Sequence, residues 1–252
     1  MRKNPSRILS LKMEGNMIRA VMFDLDGTLL PMDEEQFIRT YFHLLCRTAA
    51  PYGYEPEQLV KTLWAGTAAM VKNDGSVTNE EAFWKVFASI YGEEKRNSDR
   101  HVFDDFYRNE FSQAAETCPS VPEAKETVEL CKKNGKRIIL ATNPIFPRDA
   151  TMARIRWAGL DPNDFELVTT YENSCFSKPS ADYYRMILER CGLKGEECLM
   201  AGNDAEEDMA ASQAGIKVFI HTDFLINRKN VELDGVPHGS WKELQEFLKE
   251  NF

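Results

Sequence analysis

Apolar positions along this chain fall into two textures. Ala20-Val21-Met22-Phe23 is an unbroken apolar run, the pattern of a parallel strand buried on both faces. From about Glu34 to Cys118 the spacing is helical, with Phe37, Tyr41, Leu44 and Leu45 in one stretch and Phe83, Val86, Phe87 and Ile90 in another. Turn formers at Pro51-Tyr52-Gly53, Asn73-Asp74-Gly75 and Gly92 divide this region into four or five helices.

Beyond Cys118-Pro119 helix and strand alternate. Pro122 opens a helix that ends at Asn134-Gly135, and Lys136 to Leu140 reads as a second strand. A helix from about Asp149 to Trp157 is followed by a short third strand over Glu166 to Thr170. Pro179 opens a further helix that closes near Gly192, and Cys198 to Ala201 forms a fourth strand. A helix from about Glu206 to Ala214, a fifth strand at Val218-Phe219-Ile220 and a closing helix over Trp241 to Leu248 complete the pattern. Such alternation implies a parallel sheet with right-handed crossovers. The expected fold is therefore α/β: a Rossmann-like parallel core over 17–33 and 118–252, with an inserted all-α domain over 34–117. The basic stretch Met1 to Asn16 has only the apolar group Ile8-Leu9-Ser10-Leu11, too little for a signal peptide. It reads as a flexible leader, or as residues upstream of a start at Met17.

Composition narrows the function. A net charge of -9 argues against an extended nucleic-acid surface or an attraction to anionic lipid. With 43% hydrophobic residues the chain can bury a sizeable core. Its six cysteines include no Cys-x-x-Cys pair, so reduced core thiols are expected. No run is long and apolar enough for a membrane span. These features point to a cytoplasmic monomer or homodimer that binds neither nucleic acid nor membrane.

The chemistry-bearing residues cluster at strand ends. Asp24 and Asp26 follow the first strand, at the carboxyl edge where open α/β sheets place their ligands, and Gly27 permits a turn whose N–H groups face an anion. Thr142-Asn143 ends the second strand and offers a hydroxyl and an amide to a phosphoryl oxygen, although Thr-Asn-Pro is equally a turn initiator. Lys178 precedes a helix start, where a cation opposes the helix dipole; it is either a phosphate-binding charge or a solvated lysine. Asp204 and Asp208 follow Gly202-Asn203 at a spacing of four, which brings two like charges together unless a cation intervenes; either could also be an ordinary cap.

Taken in order, Asp24-Leu25-Asp26-Gly27-Thr28-Leu29-Leu30, Thr142, Lys178 and the pair Asp204 and Asp208 resemble the four motifs of the haloacid dehalogenase-like (HAD) superfamily. The strand pattern from Ile18 to Ile220 matches, and the helical insert resembles that superfamily's C1 cap in position and character. Asn203 departs from it, since many relatives carry Gly-Asp directly. The resemblance implies an Mg²⁺-dependent phosphatase acting on a small phosphorylated metabolite through an aspartyl-phosphate. Asp24 would be nucleophile and metal ligand, Asp26 acid/base and a ligand through its backbone carbonyl, and Asp204 a further ligand. Thr142, Asn143 and Lys178 would hold the phosphate, with Asp208 orienting Lys178 and the metal waters. Asp26 argues against a haloalkanoic-acid dehalogenase and a phosphonatase. A phosphomutase of the β-phosphoglucomutase kind remains the alternative, and a non-catalytic phosphometabolite-binding protein a third. Lys72 and Asn73, beside Asp74-Gly75 in the insert, and Arg148, just past Thr142-Asn143, are the candidate substrate contacts.

Overall fold

Strand β1 (Ala20–Phe23) is buried along its whole length. Its alternating side chains serve two cores: Val21 and Phe23 pack on one face of the sheet, Ala20 and Met22 on the other. Burying a side chain such as Val21, Met22 or Phe23 contributes about 1.5–3 kcal/mol, which anchors this strand at the centre. The structure, a computed structural model, describes residues 17–252. The expected leader over 1–16 lies outside the described residues.

Five strands join β1: β2 (Arg137–Leu140), β3 (Leu167–Val168), β4 (Cys198–Gly202), β5 (Lys217–His221) and β6 (His238–Gly239). All pair in parallel, in the order β3-β2-β1-β4-β5-β6. The order reverses between β1 and β4, the position at which doubly wound sheets open a crevice. Helices α5 (Pro122–Lys133), α6 (Arg148–Trp157) and α8 (Trp241–Asn251) cover the face carrying Val21 and Phe23. Helix α7 (Ala181–Cys191) and the 3-10 segment Met209–Ala214 cover the other.

Between β1 and α5 the chain is helical: α1 (Glu34–Ala49), α2 (Pro56–Val71), α3 (Asn79–Tyr91), α4 (Glu93–Arg108) and 3-10 segments at Ala50–Tyr52 and Glu110–Thr117. Asp33 caps α1 by accepting from the Gln36 N–H at 3.0 Å, and Thr78 with Glu81 forms a capping box for α3. The apolar faces of these helices, including Phe37, Leu45, Phe87 and Phe106, belong to the same buried cluster as Val21 and Phe23. The helical insert and the α/β part therefore share one apolar interior. Among the described residues no helix is long and apolar enough to cross a membrane.

Four details differ from the sequence expectation. The third strand shrinks to two residues, because after Thr169, whose N–H still donates to the Leu140 carbonyl at 3.1 Å, the Thr170 N–H is diverted to Asn173 Oδ1 at 2.8 Å. The expected helix from Glu206 is instead a turn capped by Asp204 Oδ1, which accepts the N–H groups of Glu206 and Glu207, followed by the 3-10 segment Met209–Ala214. Helix α7 starts at Ala181 with Ser180 as its cap, which removes Lys178 from the helix terminus and makes the dipole argument irrelevant there. Strand β6 was not expected at all; two residues are too short for periodicity to register.

Candidate active site

Register brings the strand ends level. Phe23 pairs with Leu140 of β2 and with Ala201 of β4, the Asp24 N–H donates to the Ala201 carbonyl at 3.0 Å, and the Ala141 N–H donates to that of Phe23 at 2.8 Å. Asp24, Thr142 and Gly202 thus leave the sheet side by side. Gly27 then turns with φ +79°, and a Cβ there would fall 2.2 Å from Asn203 Nδ2, so only glycine fits.

Lys178 is fully buried between two carboxylates. Its Nζ donates to Asp24 Oδ1 at 2.7 Å and to Asp208 Oδ1 at 2.6 Å. Asp208 is fixed in turn by the Asp204 N–H, which donates to Oδ2 at 3.0 Å, and by Gly202, where a Cβ would meet that same oxygen at 2.0 Å. Burial works against the Lys178 ammonium, but Asp208 and Asp24 outweigh it and hold its pKa well above the usual lysine value. Burial raises the Asp24 carboxyl, with Lys178 opposing, and lifts Asp208 to about 6. One buried ammonium between two carboxylates leaves the pocket negative.

Asp26 meets a residue that sequence reasoning missed. The fully buried Arg154 of α6 donates to Asp26 Oδ2 and stacks over the Phe146 ring at 4.3 Å, while Asp26 Oδ1 is buried without a hydrogen-bond partner. A signal existed: Arg154 lies on the buried stripe of α6 formed by Ala150, Thr151 and Ile155, and an arginine on an apolar face demands a partner. Thr142 is buried with its carbonyl taken by Thr169 and the Tyr183 hydroxyl, which leaves its side chain for a ligand. Asn143 behaves differently from expectation. Its amide nitrogen is committed to both oxygens of Glu207, at 3.0 and 3.1 Å, and its Oδ1 is buried without a partner.

Asp204 Oδ1 closes the turn already described, and Oδ2 meets Arg228 Nη1 at 3.4 Å. Arg228 also donates to Glu34 of α1 at 2.5 Å, so this loop arginine links the insert to the carboxylate set. Asn203 is not directed at a ligand: its Oδ1 accepts from Thr28 and its Nδ2 donates to the Phe224 carbonyl, which ties the first and fourth motifs together. That assignment leaves Asp204 as the available acid.

The substrate-contact candidates fare unevenly. Lys72 is exposed at the C-cap of α2 and makes no side-chain hydrogen bond among the described residues. Asn73 spends its amide inside its own loop, on the Val77 carbonyl and Asn79 Oδ1. Arg148 is exposed at the start of α6, with its backbone N–H held by Glu172. The residue of this region that does reach the core is Asn79, fully buried, whose Nδ2 donates to the Pro144 carbonyl at 3.1 Å and to Ser177 Oγ at 3.0 Å.

The donors around Asp24 are carboxylate oxygens in a negative pocket, the chemistry of a hard divalent cation. Among the described residues no three acidic, histidine or cysteine side chains already converge as a metal cluster. Mg²⁺ needs only one or two carboxylates beside water and substrate oxygens, so these residues fit it.

Comparison with known proteins gives the family. A model described as haloacid dehalogenase-like hydrolase matches residues 18–215. The chain belongs to that family. Over 202 residues this hydrolase is 27% identical to a ribulose-1,5-bisphosphate 5-phosphatase of Halopiger xanaduensis, covering 79% of this chain and 82% of the relative. It is likewise 27% identical over 200 residues to the pyrophosphatase PpaX of Bacillus cereus, covering 79% and 81%. A solved 2-haloacid dehalogenase from Pseudomonas syringae shares the fold with a TM-score of 0.62 at 21% identity, over 92% of this chain and 99% of that one. Of these relatives, the first is named as a phosphatase and the second as a pyrophosphatase.

Glu207 sets a pH dependence in this hydrolase. Burial lifts its carboxyl from 4.5 to about 8, Lys178 pulls it down, and Asp208 and Asp204 push it up. A carboxyl whose pKa is higher folded than unfolded contributes stability that is fully present at low pH and is lost as pH rises through the folded value. The metal-free protein is therefore expected to lose resistance to urea as pH rises from 4.5 to about 8, and Glu207→Gln to flatten that decline. Parallel profiles for wild type and variant would show that Glu207 is not the group responsible.

Proposed function

We propose that this protein is an Mg²⁺-dependent phosphatase that hydrolyses a small-molecule phosphate monoester through an aspartyl-phosphate on Asp24. The observation that carries this reading is Lys178, buried and bridging Asp24 and Asp208 at the end of β1. An ammonium held there serves no capping purpose and lies where a phosphoryl group would meet the nucleophile. In this reading the α/β core comprises 17–33 and 118–252, and residues 34–117 are the C1 cap.

Asp24 attacks phosphorus in line, forming the Asp24–phosphorus bond as the bond to the ester oxygen breaks. Asp26 supplies the proton that the departing alkoxide takes up. Its unpartnered Oδ1 is the atom for that exchange, and Arg154 on Oδ2 fixes the carboxyl plane. Water then attacks phosphorus, Asp26 takes its proton, and phosphate leaves with Asp24 restored. Thr142 and Lys178 donate to the equatorial oxygens as their charge redistributes. Asn143 joins them once Glu207 releases its amide. Asp24, Asp204 and the Asp26 carbonyl would hold Mg²⁺, which supplies charge neutralisation for the approach of a carboxylate to a phosphate dianion.

The test is phosphate release from a panel of phosphate monoesters with Mg²⁺ and with EDTA. Metal-dependent release is expected. Release that EDTA leaves unchanged would remove the metal from the mechanism, and isomerisation of a sugar phosphate without release would favour the phosphomutase.

A further inference from the structure

A cavity of about 160 Å³ lies between the cap helices and the loop Ile145-Phe146-Pro147 that follows Asn143. Nine of its sixteen lining side chains are aromatic, among them Tyr41, Phe42, Trp64, Trp84 and Tyr107. Most cap aromatics would be assigned to helix packing from sequence alone, and Tyr54 and Phe87 do pack there. Tyr41 and Trp84 pack there too, and with Phe42, Trp64 and Tyr107 they also wall the cavity. The cavity adjoins the reaction centre through Phe146, whose ring carries the Arg154 guanidinium that pairs with Asp26.

The charges of the lining are one-sided. It holds two carboxylates, Glu34 and Asp104, and no lysine or arginine. Glu34 is matched by Arg228. Asp104 makes no hydrogen bond or ion pair among the described residues, although Arg100 and Arg108 lie within electrostatic reach. Those two arginines are already paired, with Glu80 and Asp149. A second phosphate would find no cation in this lining, and the Tyr41 and Tyr107 hydroxyls are already bonded to each other at 2.7 Å. An organic cation would find π-faces and one uncommitted carboxylate, the combination that recognises alkylammonium groups. The volume suits one such group, since an apolar cavity of about 150 Å³ admits a benzene-sized guest.

We propose that this cavity receives the leaving group and that the substrate is the phosphate monoester of an alkylammonium alcohol, its cation boxed by Trp64, Tyr41 and Tyr107 and faced by Asp104. This inference rests on the phosphatase reading for its chemistry and on the cavity alone for its specificity.

The experiment compares phosphocholine with its uncharged isostere 3,3-dimethylbutyl phosphate, with p-nitrophenyl phosphate as a generic ester. Phosphocholine is expected to exceed the isostere in kcat/KM by about tenfold or more, mostly through KM, and Asp104→Asn to reduce that ratio several-fold. In parallel, choline alone is titrated against tryptophan fluorescence, which Trp64 and Trp84 report. Saturable quenching by choline that exceeds quenching by 3,3-dimethylbutanol, and that weakens in Asp104→Asn, supports the site without any turnover. Should that quenching occur while none of the esters is hydrolysed, the cation site stands and the phosphatase reading fails. Equal use of the charged and neutral esters, or equal quenching by both alcohols, overturns the inference.

Discussion

Asp24→Asn is expected to lower kcat by at least about 10⁴-fold while the protein keeps its fold. The substitution is nearly isosteric, and an amide oxygen can still accept the 2.7 Å hydrogen bond from Lys178. What disappears is the anion able to attack phosphorus. Because burial already disfavours the ionised form of this carboxyl, neutralising it leaves the pocket less strained electrostatically, and the thermal midpoint should not fall. Acid-quenched turnover with radiolabelled substrate provides a second readout, a phosphoenzyme in the wild type and none in the variant. A variant that retained turnover would move the nucleophile elsewhere.

The second large effect belongs to Lys178→Met. Removing the ammonium leaves Asp24 and Asp208 buried against each other with no cation between them, a change that costs about 3–5 kcal/mol when a buried ion pair is broken from one side. Both carboxyls have their pKa raised by burial, so the loss should grow with pH: urea unfolding at about pH 5 should show a smaller deficit than at about pH 8, where both must ionise. Adding Asp208→Asn to Lys178→Met should restore part of the stability, a coupling of about 0.5–3 kcal/mol. Activity should fall by at least about 10²-fold in the single variant, since the phosphoryl oxygens lose their buried donor. Equal stability of Lys178→Met and wild type at pH 8 would mean that the two carboxylates do not share the lysine's charge.

The parts of this molecule written as local patterns could be read in advance. The apolar run of β1 required burial on two faces, and the polarity break after Phe23 placed Asp24 and Asp26 at the sheet edge. Helical spacing of Phe37, Tyr41 and Leu44 identified the insert. Elements whose existence depends on partners distant in sequence were not legible. The turn at Asp204 is held by its own side chain, which accepts the Glu206 and Glu207 N–H groups, and β6 pairs along the edge of β5. In the site, the acids and Lys178 carried their own signals through spacing and sign. Glu207 carried none, since its raised pKa comes from burial and from the nearby Asp208 and Asp204 against the pull of Lys178, which only the folded arrangement supplies. Arg154 lay in between, visible as a misplaced charge on α6 but without an address for its partner.

Asn79 ties the helical insert to both loops that carry the proposed phosphate-binding groups. Its one amide holds the carbonyl of Pro144, next to Asn143, and the hydroxyl of Ser177, next to Lys178. The cap cannot lift at this point without letting go of the second and third motifs together. On the proposed phosphatase reading, admission of solvent and loss of phosphate-binding geometry would be a single event, and an enzyme assembled in this way would be disarmed whenever its door is open.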